Sequence, residues 1–381
     1  MKAFQNALVY VGGEGLKKTN LLFGERIVEI GGEIDGAEVV SLPENAVVLP
    51  GFIDEHIHGA GGADAMDASE EALATIANAV AAEGTTGFLA TTMTQSKANI
   101  TAALAAVASY RKKNAKEGAR VLGVHLEGPF IAAAHKGAQP LEYVAAPDPA
   151  VFDEYYAASG ESIKIVTLAP EEKGGDVLVA HLAKLGVTAS IGHTGAKTAD
   201  VLCAVENGAT NVTHTYNAQS PLHHREIGTV GSALLYDCLN CELIADTIHV
   251  SVPAMKLLAK CKPKGKLTLI TDAMRAKGLP DGESELGGQR VIVKNGEARL
   301  SDGTLAGSVL RMNYAIRNLT QKVGVPFTDA VDCATIVPAR TLKIDGEVGS
   351  IQVGKCADFA VLDENFEVVC TVRGGNVIYR R

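Results

Sequence analysis

The chain has 381 residues, 47% of them hydrophobic, which suffices to bury one large core plus a smaller appended domain and excludes a disordered chain. Against 44 Asp and Glu stand 35 Lys and Arg, a formal net charge of -9 without a basic run, which excludes nucleic acid as a partner. Seven cysteines, an odd number, argue against a disulfide framework; residues 1–11 carry no signal-peptide pattern and no apolar run nears the ~18 residues of a membrane span, so a cytoplasmic protein without membrane contact is expected.

Within the first 50 residues, 7–11 and 26–30 alternate apolar and polar positions between glycine-containing turns, the pattern of a small sheet. From residue 47 onward, short apolar runs are each followed by a segment of helical period, the alternation of a parallel sheet covered by helices. Eight runs are present, at 47–58, 87–92, 121–127, 163–168, 187–193, 211–214, 242–249 and 267–272. Between the first two, the segment 69–83 reads as a helix, with Leu73, Ile76, Ala77 and Val80 on one face behind a polar Ser69 start. Eight strand-helix units predict an α/β fold, a (β/α)8 TIM-like barrel. Within 287–307, the run 290–294, Asn295-Gly296 and 298–300 read as a β-hairpin inserted after the eighth strand. Strand patterning returns at 357–362, 367–370 and 376–379. The expected division is a small β-sandwich domain formed from both chain termini, 1–49 plus 345–381, and a barrel over 50–344.

Acting side chains in such a barrel sit at the C-terminal ends of its strands. Here those ends carry His56 and His58 on strand one, Glu127 on three, His193 on five, His214 on six, His249 on seven and Asp272 on eight. The period of two along a strand points His56 and His58 to one face, so both can hold one ion. A lone strand histidine is more often a satisfied core residue than a ligand. Convergence of so many ionisable groups on one barrel mouth, however, is costly in repulsion and desolvation unless a cation organises them. A metal centre of His56, His58, Glu127, His193 and His214 is therefore expected. Mixed imidazole and carboxylate ligation suits Zn²⁺, and also Fe²⁺, Mn²⁺ or Co²⁺. This ligand count exceeds the usual three of a catalytic zinc, which favours two ions bridged by Glu127 and leaves a single ion open. Asp272, a further ligand, is the expected catalytic acid/base, taking a proton from the attacking water and returning it to the leaving group. His223-His224-Arg225, just past the sixth strand, reads evenly as a phosphate-binding fork or a solvated basic loop. His125 shares a face with Glu127 and is assigned a supporting role.

Taken together, Pro50-Gly-Phe-Ile-Asp-Glu-His-Ile-His58, His125-Leu-Glu-Gly-Pro-Phe130, Gly192-His193, Thr213-His-Thr-Tyr-Asn-Ala218, Thr271-Asp-Ala273 and the segment 349–358 resemble the motifs of the amidohydrolase superfamily. The His-Leu-Glu-Gly-Pro and Thr-His-x-Tyr-Asn-Ala segments, with Asp246-Thr-Ile-His249 and Leu305-Ala-Gly-Ser308, are similar to those of the N-acetylglucosamine-6-phosphate deacetylase family, over nearly the whole chain. That resemblance implies a metal-dependent barrel with a β-sandwich-like domain from both termini, holding one or two divalent ions per subunit, Zn or Fe foremost. It implies hydrolysis of N-acetyl-D-glucosamine 6-phosphate to D-glucosamine 6-phosphate and acetate, the metal polarising the amide carbonyl while Asp272 shuttles the proton. By motif, it implies that Asn217 and Ala218 contact the sugar phosphate, that Arg225 and His249 bind the phosphate, and that Leu305, Ala306, Gly307 and Ser308 line the sugar pocket. Phosphate contacts from a neighbouring subunit imply a homodimer. Some family members lack the His-x-His pair and hold a single ion, so its presence here favours two. Ala138 and Gln139 are expected at the substrate, but Gln139 stands where many members carry a carbonyl-polarising histidine, and its amide offers a weaker oxyanion contact. The same metal site would serve N-acetylgalactosamine 6-phosphate or another N-acyl substrate, because the sequence does not locate the hydroxyl contact that separates the epimers.

Overall fold

The computed structural model describes residues 1–113 and 115–381. At its centre Phe52–Ile57, Thr85–Thr91, Arg120–Glu127, Ile163–Leu168, Thr188–Ile191, Asn211–Val212, Asn240–Ile244 and Leu267–Ile270, barrel strands one to eight, run parallel, each paired with the next. The eighth meets the first through hydrogen bonds beyond the ladder: Asp272 N–H donates to the His56 carbonyl at 2.8 Å and His58 N–H to that of Ala273 at 2.9 Å. Ring closure thus falls beside the expected ligands His56, His58 and Asp272. Helices cover the outside with amphipathic faces. Ser69 caps Glu70–Ala81 by accepting the Ala72 N–H at 3.1 Å, and Leu73, Ile76, Ala77 and Val80 are buried on its inner face. Among the described residues no helix is long and apolar enough to cross a membrane.

The run read as one strand over 47–58 is two strands. Val47–Pro50 pairs with the N-terminal strand Lys2–Val11 and the C-terminal strand Phe359–Leu362, whereas Phe52–Ile57 joins the barrel. The chain crosses between the sheets at Gly51, where an added Cβ would lie 2.2 Å from Thr86 Oγ1. Several strands also stop short of the residues expected to end them. The ladders finish at Ile191, Val212 and Ile270, and His193, His214 and Asp272 follow with positive φ of 48°, 28° and 47°. Strand seven ends at Ile244, which leaves His249 on the loop beyond it.

The insertion has three antiparallel strands, Gly282–Leu286, Gln289–Lys294 and Glu297–Leu300, rather than the two of the expected hairpin. Its first strand escapes sequence reading because Glu283, Ser284 and Glu285 give it no apolar alternation. Leu286, Val291, Val293 and Ala298 pack with Met93, Met274 and Ala306 into a small core beside the barrel mouth. The two termini form a single mixed sheet of eight strands that curls over its own core, where the Phe4, Phe23 and Phe359 ring centroids lie 5.0–5.7 Å apart. The Cys238-Leu-Asn-Cys241 spacing makes no bridge, since Cys238 is exposed and Cys241 is buried within strand seven.

Candidate metal centre and active site

Six buried side chains converge where the barrel strands open. Glu127 stands between the imidazoles: its Oε1 lies 3.1 Å from His214 Nε2, 3.3 Å from His193 Nε2 and 3.4 Å from His56 Nε2, and its Oε2 lies 3.3 Å from His58 Nε2. Asp272 Oδ1 is 3.2 Å from His58 Nε2 and 3.5 Å from His56 Nε2. The facing nitrogens of His193 and His214 approach to 3.1 Å. Two donor sets result, His56 with His58 and Asp272, and Glu127 with His193 and His214.

This arrangement fits divalent metal. A tetrahedron of ligands at about 2.0–2.2 Å from an ion has edges of roughly 3.3–3.6 Å, close to the separations observed. His56 Nε2 is buried without a hydrogen-bond partner among the described residues. Electrostatics agrees. Burial opposes charge on His58, yet Asp272 and Glu127 outweigh it and hold the imidazole up at about 10. His56 is likewise held well above its ordinary value, burial being overcome by Glu127 and Asp272. Burial pushes the Asp272 carboxyl up, but His56 and His58 hold it down at about 2. Two buried carboxylates thus demand positive charge, and a divalent ion supplies it while freeing the imidazole lone pairs.

Neighbouring groups fix the donors in place. His193 Nδ1–H donates to the His135 carbonyl at 2.9 Å, and His56 Nδ1 lies 3.0 Å from Glu242 Oε2. Gln139, expected at the substrate, lies on the cavity wall with its amide held by two bonds. Its Nε2 donates to Glu127 Oε2 and its Oε1 accepts the Thr94 N–H, both at 2.7 Å, so both ends of the amide are engaged. His125 bonds to the Glu55 carbonyl at 3.0 Å and to Thr167 Oγ1 at 2.7 Å; burial and the neighbouring His56 push it down to about 4 and keep it neutral.

A cavity of 320 Å³ opens onto the donors, and Ala138, Asn217, Ala218, His249, Leu305 and Gly307 are among the residues that line it. His249 Nδ1 lies 2.6 Å from Asp246 Oδ2; burial disfavours its charge, but Asp246 outweighs burial and raises its pKa. Three expected contacts are elsewhere. Ala306 is fully buried in the core of the inserted sheet. Ser308 braces Asp272, its N–H donating to the Asp272 carbonyl at 2.7 Å and its hydroxyl to that of Thr271. Arg225 lies exposed on a loop outside the cavity, its Nη1 2.8 Å from His224 Nε2. The wall also includes Met93, His135, Leu286 and Thr304, which sequence reasoning did not select. Of these only His135 had a signal, as a polar residue on the loop after strand three.

The amidohydrolase family profile matches residues 47–378. Over 342 residues the chain is 45% identical to the N-acetylglucosamine-6-phosphate deacetylase of Bacillus subtilis (strain 168), covering 89% of this chain and 86% of that protein. It is 39% identical over 322 residues to the N-acetylgalactosamine-6-phosphate deacetylase of Escherichia coli O157:H7, covering 84% and 85%. A variant of the Mycobacterium smegmatis N-acetyl-D-glucosamine-6-phosphate deacetylase, solved in complex with N-acetyl-D-glucosamine-6-phosphate, has a TM-score of 0.91 to this chain at 29% identity, with 99% of each chain covered.

Proposed function

The chain belongs to the amidohydrolase family and, within it, to the N-acetylglucosamine-6-phosphate deacetylases, and we propose that its six-donor centre carries the family reaction. That reaction hydrolyses N-acetyl-D-glucosamine 6-phosphate to D-glucosamine 6-phosphate and acetate. The observation that carries this reading is the convergence of four imidazoles and two carboxylates at the barrel mouth, with His58, His193, His214, Glu127 and Asp272 lining one cavity.

His56, His58, Glu127, His193, His214 and Asp272 would hold the divalent metal, which would supply Lewis acidity for the amide carbonyl and the attacking water. The remaining work belongs to the chain. Asp272, a carboxylate on the cavity wall, takes the water proton as the amide carbon is attacked and delivers it to the amine, which leaves poorly as an anion. Gln139 and Thr94 hold Glu127 in register with both donor sets. His249, charged through Asp246, offers a cationic donor to the 6-phosphate, with Asn217 and Ala218 beside it on the cavity wall. We infer two ions per chain, of the Zn or Fe class, with Glu127 between them. The exposed Arg225 suits a phosphate contact made to a second subunit, so the active assembly in this reading is a cytoplasmic homodimer.

The test is acetate release from a panel of hexosamines. Turnover of N-acetylglucosamine 6-phosphate should far exceed that of the unphosphorylated sugar, because the phosphate anchors the reacting amide. Equal turnover of the two would defeat the reading. The 39% identity to an N-acetylgalactosamine-6-phosphate deacetylase supports a second reading, in which the galacto epimer is the preferred substrate of the panel.

A further inference from the structure

Glu242, within the seventh barrel strand, is fully buried beside the donors. One of its oxygens serves two of them. Oε2 lies 3.0 Å from His56 Nδ1 and accepts the backbone N–H of His214 at 3.1 Å. That oxygen accepts from a backbone N–H and faces His56 Nδ1 as an acceptor, a geometry that suits a proton on Nδ1. That tautomer leaves a lone pair on Nε2, which lies 3.4 Å from Glu127 Oε1 and 3.5 Å from Asp272 Oδ1. The second bond bears on a different ligand. His214 has φ of 28°, a conformation that a side chain keeps only when its surroundings enforce it. The N–H that Glu242 accepts is that residue's own, and the Glu242 carbonyl accepts the next one, from Thr215, at 2.9 Å. His56 stands on strand one and His214 just beyond strand six, in different donor sets, and Glu242 touches both.

We propose that Glu242 is a positioning residue for both halves of the metal centre, fixing the His56 tautomer by accepting at Nδ1 and the His214 turn by its bonds to the backbone. The proposal rests on reading the six donors as a metal centre. Burying a carboxylate is costly, and its other oxygen, Oε1, has no hydrogen-bond partner among the described residues. Hydrogen bonding alone leaves that cost partly uncompensated, whereas an imidazole made more basic toward a cation gives the charge a use.

The experiment measures Zn²⁺ affinity of chelator-stripped protein by competition with a chromophoric chelator, for the wild type, Glu242→Gln and Glu242→Leu. No uptake by the wild type defeats the metal reading itself, whatever the variants do. Where the wild type binds, Glu242→Gln keeps an acceptor for both N–H groups but loses the charge, and its affinity should fall about 10–100-fold. Glu242→Leu should bind more weakly still. The metal-free Glu242→Gln protein should melt no lower than metal-free wild type, since a buried charge has been removed. An affinity within about twofold of wild type, or a loss accompanied by a lower melting temperature of the metal-free form, overturns the proposal. Should Glu242→Leu fail to fold, Glu242→Gln decides alone, by its affinity and by the melting temperature of its metal-free form.

Discussion

Asp272 and His193 share the metal centre but not the same work, and the difference is measurable. Asp272→Asn keeps the shape of the side chain and leaves five donors, so the ions should stay while kcat falls about 10²–10⁴-fold for want of a proton carrier. His193→Ala removes an imidazole from the set with Glu127 and His214 and should lose metal outright. Elemental analysis beside activity separates the two, and full metal content in His193→Ala would remove that residue from the ligand set. His249 supplies a pH dependence. Its folded pKa is raised, so its ion pair with Asp246 is fully present below the ordinary imidazole value of ~6.5 and is lost as pH rises through the higher folded value. The KM for the phosphorylated sugar should therefore rise with pH above neutrality. In Asp246→Asn burial acts without that counterweight, so the rise should move to lower pH, below the ordinary ~6.5, and a KM profile unchanged by the substitution would dissociate His249 from phosphate binding.

At the level of elements, the barrel was legible because its strands are short apolar runs separated by amphipathic helices, as 163–168 and 69–83 show. Runs of this kind mark where strands lie, but not where their ladders stop. Val187 to His193 reads as one strand, yet pairing ends at Ile191 and the ligand turns out into a left-handed conformation. Such φ values cost ~1–3 kcal/mol each, and nothing in a histidine or aspartate codon position announces them. They aim His193, His214 and Asp272 inward from just beyond the sheet, so residue type picked out the candidate donors while their backbone conformation stayed hidden. The break at Gly51 was hidden for the opposite reason, since an unbroken apolar run covers two sheets. Of the supporting residues, Glu242 sat in plain view as a carboxylate inside an apolar strand. Gln139 could be named but not placed, because its partners Thr94 and Glu127 come from other segments of the chain. Arg225, Ala306 and Ser308 were carried by motif alone, and motif does not say whether a residue faces the cavity, braces a neighbour or waits on the surface.

Considered whole, the molecule joins its terminal sheet to its barrel through packing rather than through a linker. Tyr10, Leu49, Ala360, Leu362 and Val368 from the terminal strands belong to the same apolar cluster as Leu73, Ala77 and Val80 of the first barrel helix. On its other face the sheet buries Phe4, Phe23 and Phe359. Hydrogen bonds cross the junction as well: Tyr10 Oη donates to Asp332 Oδ1 at 2.8 Å and Thr371 Oγ1 to the Ala81 carbonyl at 2.6 Å. A sheet buried on both faces has no stable state detached from the barrel, because separation would expose the inner cluster to water at about 25 cal/mol per Å² of apolar surface. Metal-free protein should therefore unfold in urea as a single transition, with far-ultraviolet circular dichroism and tyrosine fluorescence superimposable. Tyr10→Ala, which removes an aromatic ring and a hydrogen bond at the junction, should shift that transition to lower urea by about 3–5 kcal/mol without splitting it. Two separated transitions, with only the earlier one moved by Tyr10→Ala, would mean that the sheet and the barrel fold independently.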